Sequence, residues 1–345
     1  MAVGRLAAPE WKKYSDPATE LEVLRLTDPV FASGMTAPHL RQFSRRADSL
    51  LYWSERFSDD SPGARQAFLL DLKMGESRQL TQAAALDPNS LTLSADDRTF
   101  YYYDGPALFE SLVASPKPVA IHQTPAAAKR SGITIGADGA IVFTERANGR
   151  SRLISVLRRL SRTVAETPDE IEEVQARPRR AQILYRANNQ LFLINSDGTG
   201  KRPLKTEPGK IGSALWIPNG HTFIYLHVPD NPKELVTLRE HYPDENADRL
   251  LARTSQFISV SSNADASVFT GASRSLANAY VLILLRAVRR ELTLCEHRAS
   301  DPAMVKPVFT PDSQNVLFVS DRHGMPAVYL FHVARFVEET AADPQ

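Results

Sequence analysis

The C-terminal part of the chain alternates apolar and polar residues in short runs that are separated by turns. In residues 307–333, PVFTPDSQNVLFVSDRHGMPAVYLFHV, the apolar runs predict strands at 308–309, 316–319 and 328–333. Proline, aspartate and serine separate the first two runs, and a charged turn with a glycine separates the next two. Such alternation between turn residues is typical of short antiparallel strands. A unit of strand, turn, strand, turn and strand is what one blade of a β-propeller requires.

The same unit recurs upstream. The copies are predicted at residues 38–82, 86–125, 131–170, 172–207, 210–254 and 255–299, followed by the stretch at 307–333. A spacing of about 40 residues matches the period of propeller blades. The segment 21–27, LEVLRLT, alternates as a strand ahead of the first copy. We expect it to complete the last blade, because closing the ring removes exposed sheet edges. The sequence therefore predicts an all-β fold, a single seven-bladed β-propeller closed by an N-terminal strand.

Three parts of the chain are expected: an N-terminal arm at residues 1–19, the propeller at 20–336 and a C-terminal tail at 337–345. Two segments fit the repeat poorly. Residues 166–178, ETPDEIEEVQARP, form an acidic insertion that could be a loop or a helical turn. Residues 234–252 form an excursion that could equally be two strands around a Pro-Asp turn.

Composition excludes several classes of protein. Of 345 residues, 43% are hydrophobic, which is enough for a large core. Lysine and arginine number 41 against 40 acidic residues, so the net charge of +1 gives no sign of a nucleic-acid-binding protein. The longest apolar run, residues 280–285, is far shorter than the roughly 20 residues that a membrane helix needs. The single cysteine, Cys295, excludes an internal disulfide and is expected to pack as a small apolar side chain.

The compartment stays open from the sequence. The first residues, MAVGRLAAPEW, lack the apolar core of a secretory signal. Either the protein is cytoplasmic, or a leader has been removed and the protein is periplasmic or secreted.

Four motifs resemble one known group of propellers. They are DPATELEVLRLTD near the start, LLDLKMGESRQLT in the first repeat, LINSDGTG in the fourth and FTPDSQNVLFVSDRHGMPAVYL at the end. Together they are similar to the oligogalacturonate lyases, and more loosely to TolB-type propellers, over about residues 14–335. The opening motif and the segment LCEH point to the lyases in particular, whereas the turn and hairpin motifs are common to many propellers.

The resemblance implies a chemistry that can be checked residue by residue. Lyases of this group cleave short pectin fragments by β-elimination, with a manganese ion held mainly by histidines and a basic residue that takes the C5 proton. Their Gln-x-x-His-x-His-Pro motif corresponds in this chain to Asp301, Met304 and Lys306 ahead of Pro307. Their Ser-His pair corresponds to Ser255 and Gln256. Their Gly-His-Glu-x-Trp motif corresponds to residues 212–216, GSALW.

The imidazoles of the lyase group are therefore missing from the matching positions. Methionine and lysine are poor ligands for such a divalent ion, so we expect no cofactor, although an active relative would require manganese. Lys306 offers one substitute, because its ammonium could take the place of the metal and pair with a carboxylate. His297 and Lys306 are the candidate catalytic residues. An alternative for His297, at a predicted strand end, is a hydrogen-bonded structural group.

Arginines form a second candidate group. Arg41, Arg186, Arg274 and Arg298 fall near predicted strand ends in four repeats, where their side chains can point toward a central pocket. Arginine binds carboxylates through two parallel hydrogen bonds, so a ring of arginines suits an acidic oligosaccharide. The alternative is that each arginine pairs with a carboxylate of a neighbouring blade. The full set of expected ligand-binding residues is Arg41, Arg186, Gln256, Arg274, His297, Arg298, Asp301 and Lys306.

The functional prediction is a lyase-like propeller that has lost the manganese-dependent elimination and binds an acidic oligosaccharide or a protein in its central funnel. Two alternatives stay open: an active lyase on pectin-derived oligogalacturonides, and a TolB-like protein-interaction module. The eight histidines are scattered and form no local metal motif. Spacing along a propeller says little about a Ser-His-acid triad, and the G-x-S-x-G motif of many hydrolases is absent.

Overall fold

Seven antiparallel sheets, each built mainly from consecutive strands, make up the fold. A computed structural model describes residues 3–56, 63–231, 233–254 and 256–336. The predicted tail at 337–345 and Ser255 lie outside these residues. In six of the sheets the strand that comes first in its repeat lines one central cavity, and in the remaining sheet residues of the segment 38–45 line it. The predicted all-β, seven-bladed propeller is confirmed. Within the described ranges, no helix is long and apolar enough to span a membrane.

Each blade has four or five strands, ordered below from the centre outward. Blade 1 contains β4 (Ser33–Gly34), β5 (Ser49–Ser54), β6 (Gln66–Asp71), β7 (Ser77–Gln79) and β1 (Leu6–Ala7). Blade 2 contains β8 (Thr92–Leu93), β9 (Thr99–Asp104), β10 (Ala107–Leu112) and β11 (Val119–Gln123). Blade 3 contains β12 (Lys129–Ile135), β13 (Ile141–Ala147), β14 (Arg150–Leu157) and β15 (Leu160–Thr167). Blade 4 contains β16 (Ile171–Ala176), β17 (Gln182–Ala187), β18 (Gln190–Asn195) and β19 (Arg202–Pro203).

The remaining blades follow the same plan. Blade 5 contains β20 (Lys210–Trp216), β21 (Phe223–Val228), β22 (Thr237–Tyr242) and β23 (Ala247–Arg253). Blade 6 contains β24 (Phe257–Ser262), β25 (Val268–Ser273), β26 (Tyr280–Leu285) and β27 (Arg290–Glu296). Blade 7 contains β28 (Val308–Phe309), β29 (Asn315–Ser320), β30 (Ala327–His332), β3 (Glu22–Arg25) and β2 (Lys12–Ser15). The segment at 234–252 is thus the two-strand alternative, β22 and β23.

The hydrophobic core is divided among the blade interfaces. One buried cluster joins each pair of neighbouring blades, for example Tyr103 and Ile121 of blade 2 with Phe143 of blade 3. Cys295 packs in the cluster between blades 6 and 7. Apolar residues on both faces of the middle strands are therefore buried, which explains why strands such as β26 and β29 contain nearly continuous apolar runs.

The predicted closure of the ring by residues 21–27 is also present. In β3, Val23 and Leu24 pair with Phe331 and Leu330 of β30, the last strand that the structure describes. Part of the segment predicted as an arm belongs to the blades, because β2 extends blade 7 beyond β3 and β1 extends blade 1.

The acidic segment at 166–178 is neither a loop nor a helical turn. Its residues 171–176 form β16, the innermost strand of blade 4. Val174 of this strand is buried, whereas Glu172 faces solvent and forms an ion pair with Arg186. The prediction was wrong because a bulge between Ile171 and Glu173 interrupts the alternation that would indicate a strand.

Seven short turns lead into the second strand of each blade. Each contains one residue with a positive φ, between 55° and 81°: Ala47, Asp97, Gly139, Arg179, Gly220, Ala266 and Ser313. We call this ring of turns the turn rim. The opposite end of the cavity, where the first strands begin, we call the entry mouth.

Candidate functional site

The candidate site is the central cavity, which has a volume of about 650 Å³. All seven blades contribute to its wall, through His39, Thr92, Thr134, Gln175, Trp216, Ser261 and Val308 among others. The lining residues extend to the turn rim, which forms one end of the cavity. Ligand pockets for small organic molecules typically measure about 300–1,000 Å³, so this cavity is large enough for a short oligosaccharide or a similar molecule.

The ionisable side chains that line the cavity are all basic. They are His39, Arg41, Arg45 and Arg179, and no carboxylate belongs to the described lining. Arg41 is the best anchored of the four, since it forms an ion pair with Asp97 and donates to the Ala95 carbonyl oxygen at 2.9 Å. Desolvation inside the propeller lowers the pKa of His39 to about 4, and the nearby Lys306 ammonium acts in the same direction. His39 is therefore neutral near pH 7.

Arg45 and Arg179 differ from Arg41 because their guanidinium groups have no ion-pair partner among the residues that the structure describes. Both are exposed at the turn rim, Arg45 in blade 1 and Arg179 in blade 4. The local turns place them there, and Arg179 itself adopts a φ of 61°. The rim thus presents two cationic forks, which are suited to bidentate binding of a carboxylate or phosphate.

Two buried glutamines belong to the lining of the same cavity. Gln42 is 2% exposed and its Oε1 has no hydrogen-bond partner. Gln175 is also 2% exposed; its Nε2 donates to Glu173 Oε1 and to the Ala214 carbonyl oxygen, which leaves its Oε1 without a partner. Buried polar atoms are nearly always hydrogen-bonded, so these two unpaired acceptors, one in blade 1 and one in blade 4, are unusual.

The structure divides the sequence-predicted ligand-binding residues between the two ends of the cavity. Arg41 lies at the turn rim. The other members lie toward the entry mouth, where the second and fourth strands end and the first strands begin. They are Arg186, Gln256, Arg274, His297, Arg298, Asp301 and Lys306. None of these seven contributes to the described cavity lining.

His297 lies inside the protein and not at the cavity surface. It is fully buried; its Nε2 lies 3.3 Å from the Ser273 carbonyl oxygen, and its Nδ1 accepts from the Ala299 amide at 3.0 Å. Burial lowers the pKa of His297 below its ordinary value. These contacts correspond to the structural alternative that the sequence left open.

The predicted arginines at the entry mouth are mostly engaged with blade groups. Arg186 forms ion pairs with Glu172 at 3.2 Å and Glu173 at 3.6 Å, and donates to the Ile211 carbonyl oxygen. Arg298 pairs with Glu296 at 2.5 Å. Arg274 donates to the Phe257 carbonyl oxygen at 3.4 Å, and Gln256 keeps a buried Oε1 without a partner.

The positions that match the lyase metal ligands have other contacts. Asp301 Oδ1 accepts from the Ala303 amide at 2.8 Å and so caps the short 3₁₀ turn Pro302–Met304. Met304 packs against the core cluster of blades 6 and 7, and Lys306 is exposed. In the described part of the chain, no three His, Cys, Asp or Glu side chains are grouped so that they could hold a metal ion. A capping carboxylate, a packed thioether and an ammonium do not fit a manganese ion.

Sequence reasoning missed the residues that most clearly define the cavity, Arg45, Arg179, Gln42 and Gln175. Arg45 occupies the turn after the first strand of blade 1, and this turn position is recognisable in six repeats. Arg179 belongs to the seventh such turn, which follows directly on the supposed acidic insertion at 166–178. Aligning all seven turns would have indicated both arginines.

Comparisons with known proteins agree with this architecture. No family model matches the chain. The chain is 22% identical to oligogalacturonate lyase of Dickeya dadantii and 23% identical to oligogalacturonide lyase of Pectobacterium atrosepticum, each over 96% of this chain and 98% of the relative.

Solved structures give the same result. A structure of oligogalacturonate lyase in complex with manganese has a TM-score of 0.89 at 22% identity and covers 98% of this chain and 100% of its own. The oligogalacturonate lyase of Vibrio parahaemolyticus has a TM-score of 0.88 at 20% identity and covers 97% of this chain and 100% of its own. TolB of Acinetobacter baumannii is more distant, with a TM-score of 0.47 at 12% identity over 84% of this chain and 83% of its own. The resemblance to the oligogalacturonate lyases is confirmed along nearly the whole chain, and the protein has their seven-bladed propeller fold.

Proposed function

We propose that this propeller binds an acidic oligosaccharide in its central cavity without a manganese ion. The observation that carries the proposal is the charge of the cavity: the ionisable groups in its described lining are His39 and three arginines, with no carboxylate. An anionic ligand would meet unpaired cations at Arg45 and Arg179. The relatives are named for oligogalacturonate or oligogalacturonide, which favours an acidic sugar over a plain inorganic anion.

The second candidate is lyase activity, which the names of the relatives suggest. The donor set at Asp301, Met304 and Lys306 argues against the manganese-dependent form of this reaction. Proton abstraction would also need a base that contacts the substrate. His39 is the imidazole in the cavity wall, and its pKa of about 4 makes it a weak base at neutral pH.

The ligand proposal predicts binding of a short oligogalacturonate, measured by titration calorimetry in EDTA. The neutral sugar maltotriose should not bind, and neither should an acidic peptide. Arg45→Ala and Arg179→Ala should each weaken oligogalacturonate binding about 10-fold, since each removes a charge-assisted contact. Arg46→Ala and Arg180→Ala are the matched controls, because each changes the next arginine in the chain, which lies outside the cavity lining.

Three results would contradict the proposal: no binding of oligogalacturonate, binding that the neutral sugar equals, or equal losses in the control variants. A lyase would instead reveal itself by growth of the ultraviolet absorbance of unsaturated uronides. That assay is run with and without added manganese. Product that forms only with manganese would overturn the metal-free proposal.

A further inference from the structure

A Ser-His-Glu relay lies on the outer side of the propeller, between blades 2 and 3. His122 Nδ1 is 2.9 Å from Ser161 Oγ, and His122 Nε2 is 2.8 Å from Glu145 Oε1. A carboxylate accepts hydrogen bonds and cannot donate one while ionised, so the Nε2–H donates to Glu145. Nδ1 is then the acceptor for the serine hydroxyl. This is the order of contacts that activates a serine nucleophile, with the roles of the two ring nitrogens exchanged relative to the serine proteases.

The sheet geometry places the three side chains together. Directly paired residues point to the same face of a sheet, and so do residues two positions apart in one strand. Phe143 pairs with Ile154, and Ile154 pairs with Thr163. Glu145 on β13 lies two positions from Phe143, and Ser161 on β15 lies two positions from Thr163, so both project from the same face of blade 3. His122 is on β11, the outermost strand of blade 2, and its ring packs on Phe143 at 4.9 Å between centroids. The residues are thus brought together by blade packing, which sequence spacing does not reveal.

Burial decreases along the relay from Glu145 through His122 to Ser161, and the charged group lies at the buried end. The Glu145 side chain is 2% exposed and that of His122 is 13% exposed, whereas Ser161 is open to solvent. Arg152 Nη2 lies 3.0 Å from the second carboxylate oxygen of Glu145. Although burial opposes ionisation, the contacts with His122 and Arg152 lower the pKa of Glu145 below its ordinary value. An ionised, fixed carboxylate holds the imidazole and stabilises the imidazolium that forms when serine loses its proton.

The strand carrying Ser161 also provides a backbone donor. Leu157 and Leu160 flank a two-residue hairpin turn, Arg158 and Arg159, with φ values of 50° and 65°. In such a hairpin the flanking pair exchanges both hydrogen bonds, and the next pair, Val156 and Ser161, does not. The Ser161 N–H therefore points away from β14 toward the free edge of the sheet, where it can donate to the oxyanion of an attacked carbonyl.

We propose that Ser161, His122 and Glu145 form a second site, which transfers the acyl group of small apolar carboxylic esters. The exposed Leu160 beside Ser161 and the exposed Val119 on β11 offer apolar contact to the acyl chain. Ser161 Oγ forms a bond to the carbonyl carbon while the ester C–O bond breaks, and His122 passes the serine proton to the departing alcohol. Water then cleaves the acyl-serine and releases the carboxylic acid.

The test is covalent labelling of the full chain with a fluorophosphonate, followed by mass spectrometry, together with hydrolysis of p-nitrophenyl butyrate. We expect one label on Ser161, and we expect Ser161→Ala to abolish labelling. His122→Asn should slow labelling about 100-fold, which is the lower end of the usual contribution of a general base. Ser15→Ala is the matched control, since Ser15 is an exposed strand serine whose Oγ bonds to the Glu20 carbonyl oxygen and not to a histidine.

A relay that only joins blades 2 and 3 would give a different outcome. Ser161 would then remain unlabelled, or it would be labelled at the same rate in the wild type and in His122→Asn. Either result overturns the proposal. Labelling of Ser161 in the wild-type chain tests the proposal without any variant, and it does not depend on ligand binding in the central cavity. Urea denaturation of His122→Asn checks that this variant is folded before its labelling rate is compared.

Discussion

Replacing Arg177 by alanine should lower the free energy of unfolding by about 3 kcal/mol, the loss typical of removing a large, fully buried side chain together with its hydrogen bonds. Arg177 is 0% exposed at the junction of blades 4 and 5. Its Nε donates to the Gly220 carbonyl oxygen at 2.7 Å, and its two Nη atoms form a bidentate pair with Asp244, each at 2.8 Å. Its guanidinium also packs over the Trp216 ring. The substitution leaves the buried Gly220 oxygen without its donor and opens a cavity.

Arg180→Ala is the matched control. Arg180 also pairs with Asp244, at 3.0 Å, but its side chain is 48% exposed, so its loss should cost less than about 1 kcal/mol. Urea denaturation of both variants checks the difference. Equal midpoints for the two variants would contradict the role assigned to Arg177.

The effect of Arg177→Ala should also depend on pH. The hydrogen bonds from Arg177, with the charges of Arg177 and Arg180, lower the pKa of Asp244 below its ordinary 3.8. A lowered carboxylate pKa contributes stability above the unfolded pKa and loses it as the pH falls through the folded value. The difference in the free energy of unfolding between the wild type and Arg177→Ala should therefore become smaller below about pH 3.8.

Replacing Asp16 by alanine should destabilise the closure of the ring by about 3 kcal/mol, the loss typical of removing one partner of a buried ion pair. Asp16 is 0% exposed and accepts from the amides of Thr19 at 3.2 Å and Glu296 at 3.0 Å. Its Oδ2 also lies 3.6 Å from Arg322 Nη1, whose side chain is 5% exposed. These contacts tie the hairpin of β2 and β3 to blades 6 and 7.

Hydrogen exchange at β3 and β30, combined with urea denaturation, measures the loss. The amides of these two strands should exchange faster in Asp16→Ala before the remaining blades open. Asp28→Ala is the control, because Asp28 lies in the same segment and its carboxylate accepts locally from the Val30 amide at 3.1 Å. Unchanged exchange at β3 and β30 in Asp16→Ala would contradict the role of Asp16.

The fold could be predicted from the sequence because its signals are local. Each blade requires apolar runs between turn residues, and these are visible in 316–319 and 328–333 as well as in the first repeat. The exception is blade 4, where Glu172 and Glu173 make β16 look like an acidic insertion. Their partner Arg186 lies on the adjacent strand β17. An ion pair between adjacent strands allows charged residues in an inner strand. The hydrophobic pattern of one strand does not reveal such a pair, because the partner lies on another strand.

The candidate site could be predicted less well because it depends on which residues converge. The family pattern directs attention to the entry mouth, and the histidine there, His297, is enclosed by backbone groups of its own blade. Its burial could not be known from a strand-end position. The basic turn rim and the relay of Ser161, His122 and Glu145 arise from packing between blades, which in the relay brings together residues 39 positions apart.

The pairing of β3 with β30 has a consequence for how the protein is made. Residues 22–25 leave the ribosome long before their partner strand, residues 327–332, is made. Six blades can be completed as synthesis proceeds, because their main strands are consecutive in the chain. Throughout that time β3 has a free apolar edge and no blade to join. The contacts of highest sequence separation form last, so the newly made chain stays exposed to aggregation until residues 327–332 are released.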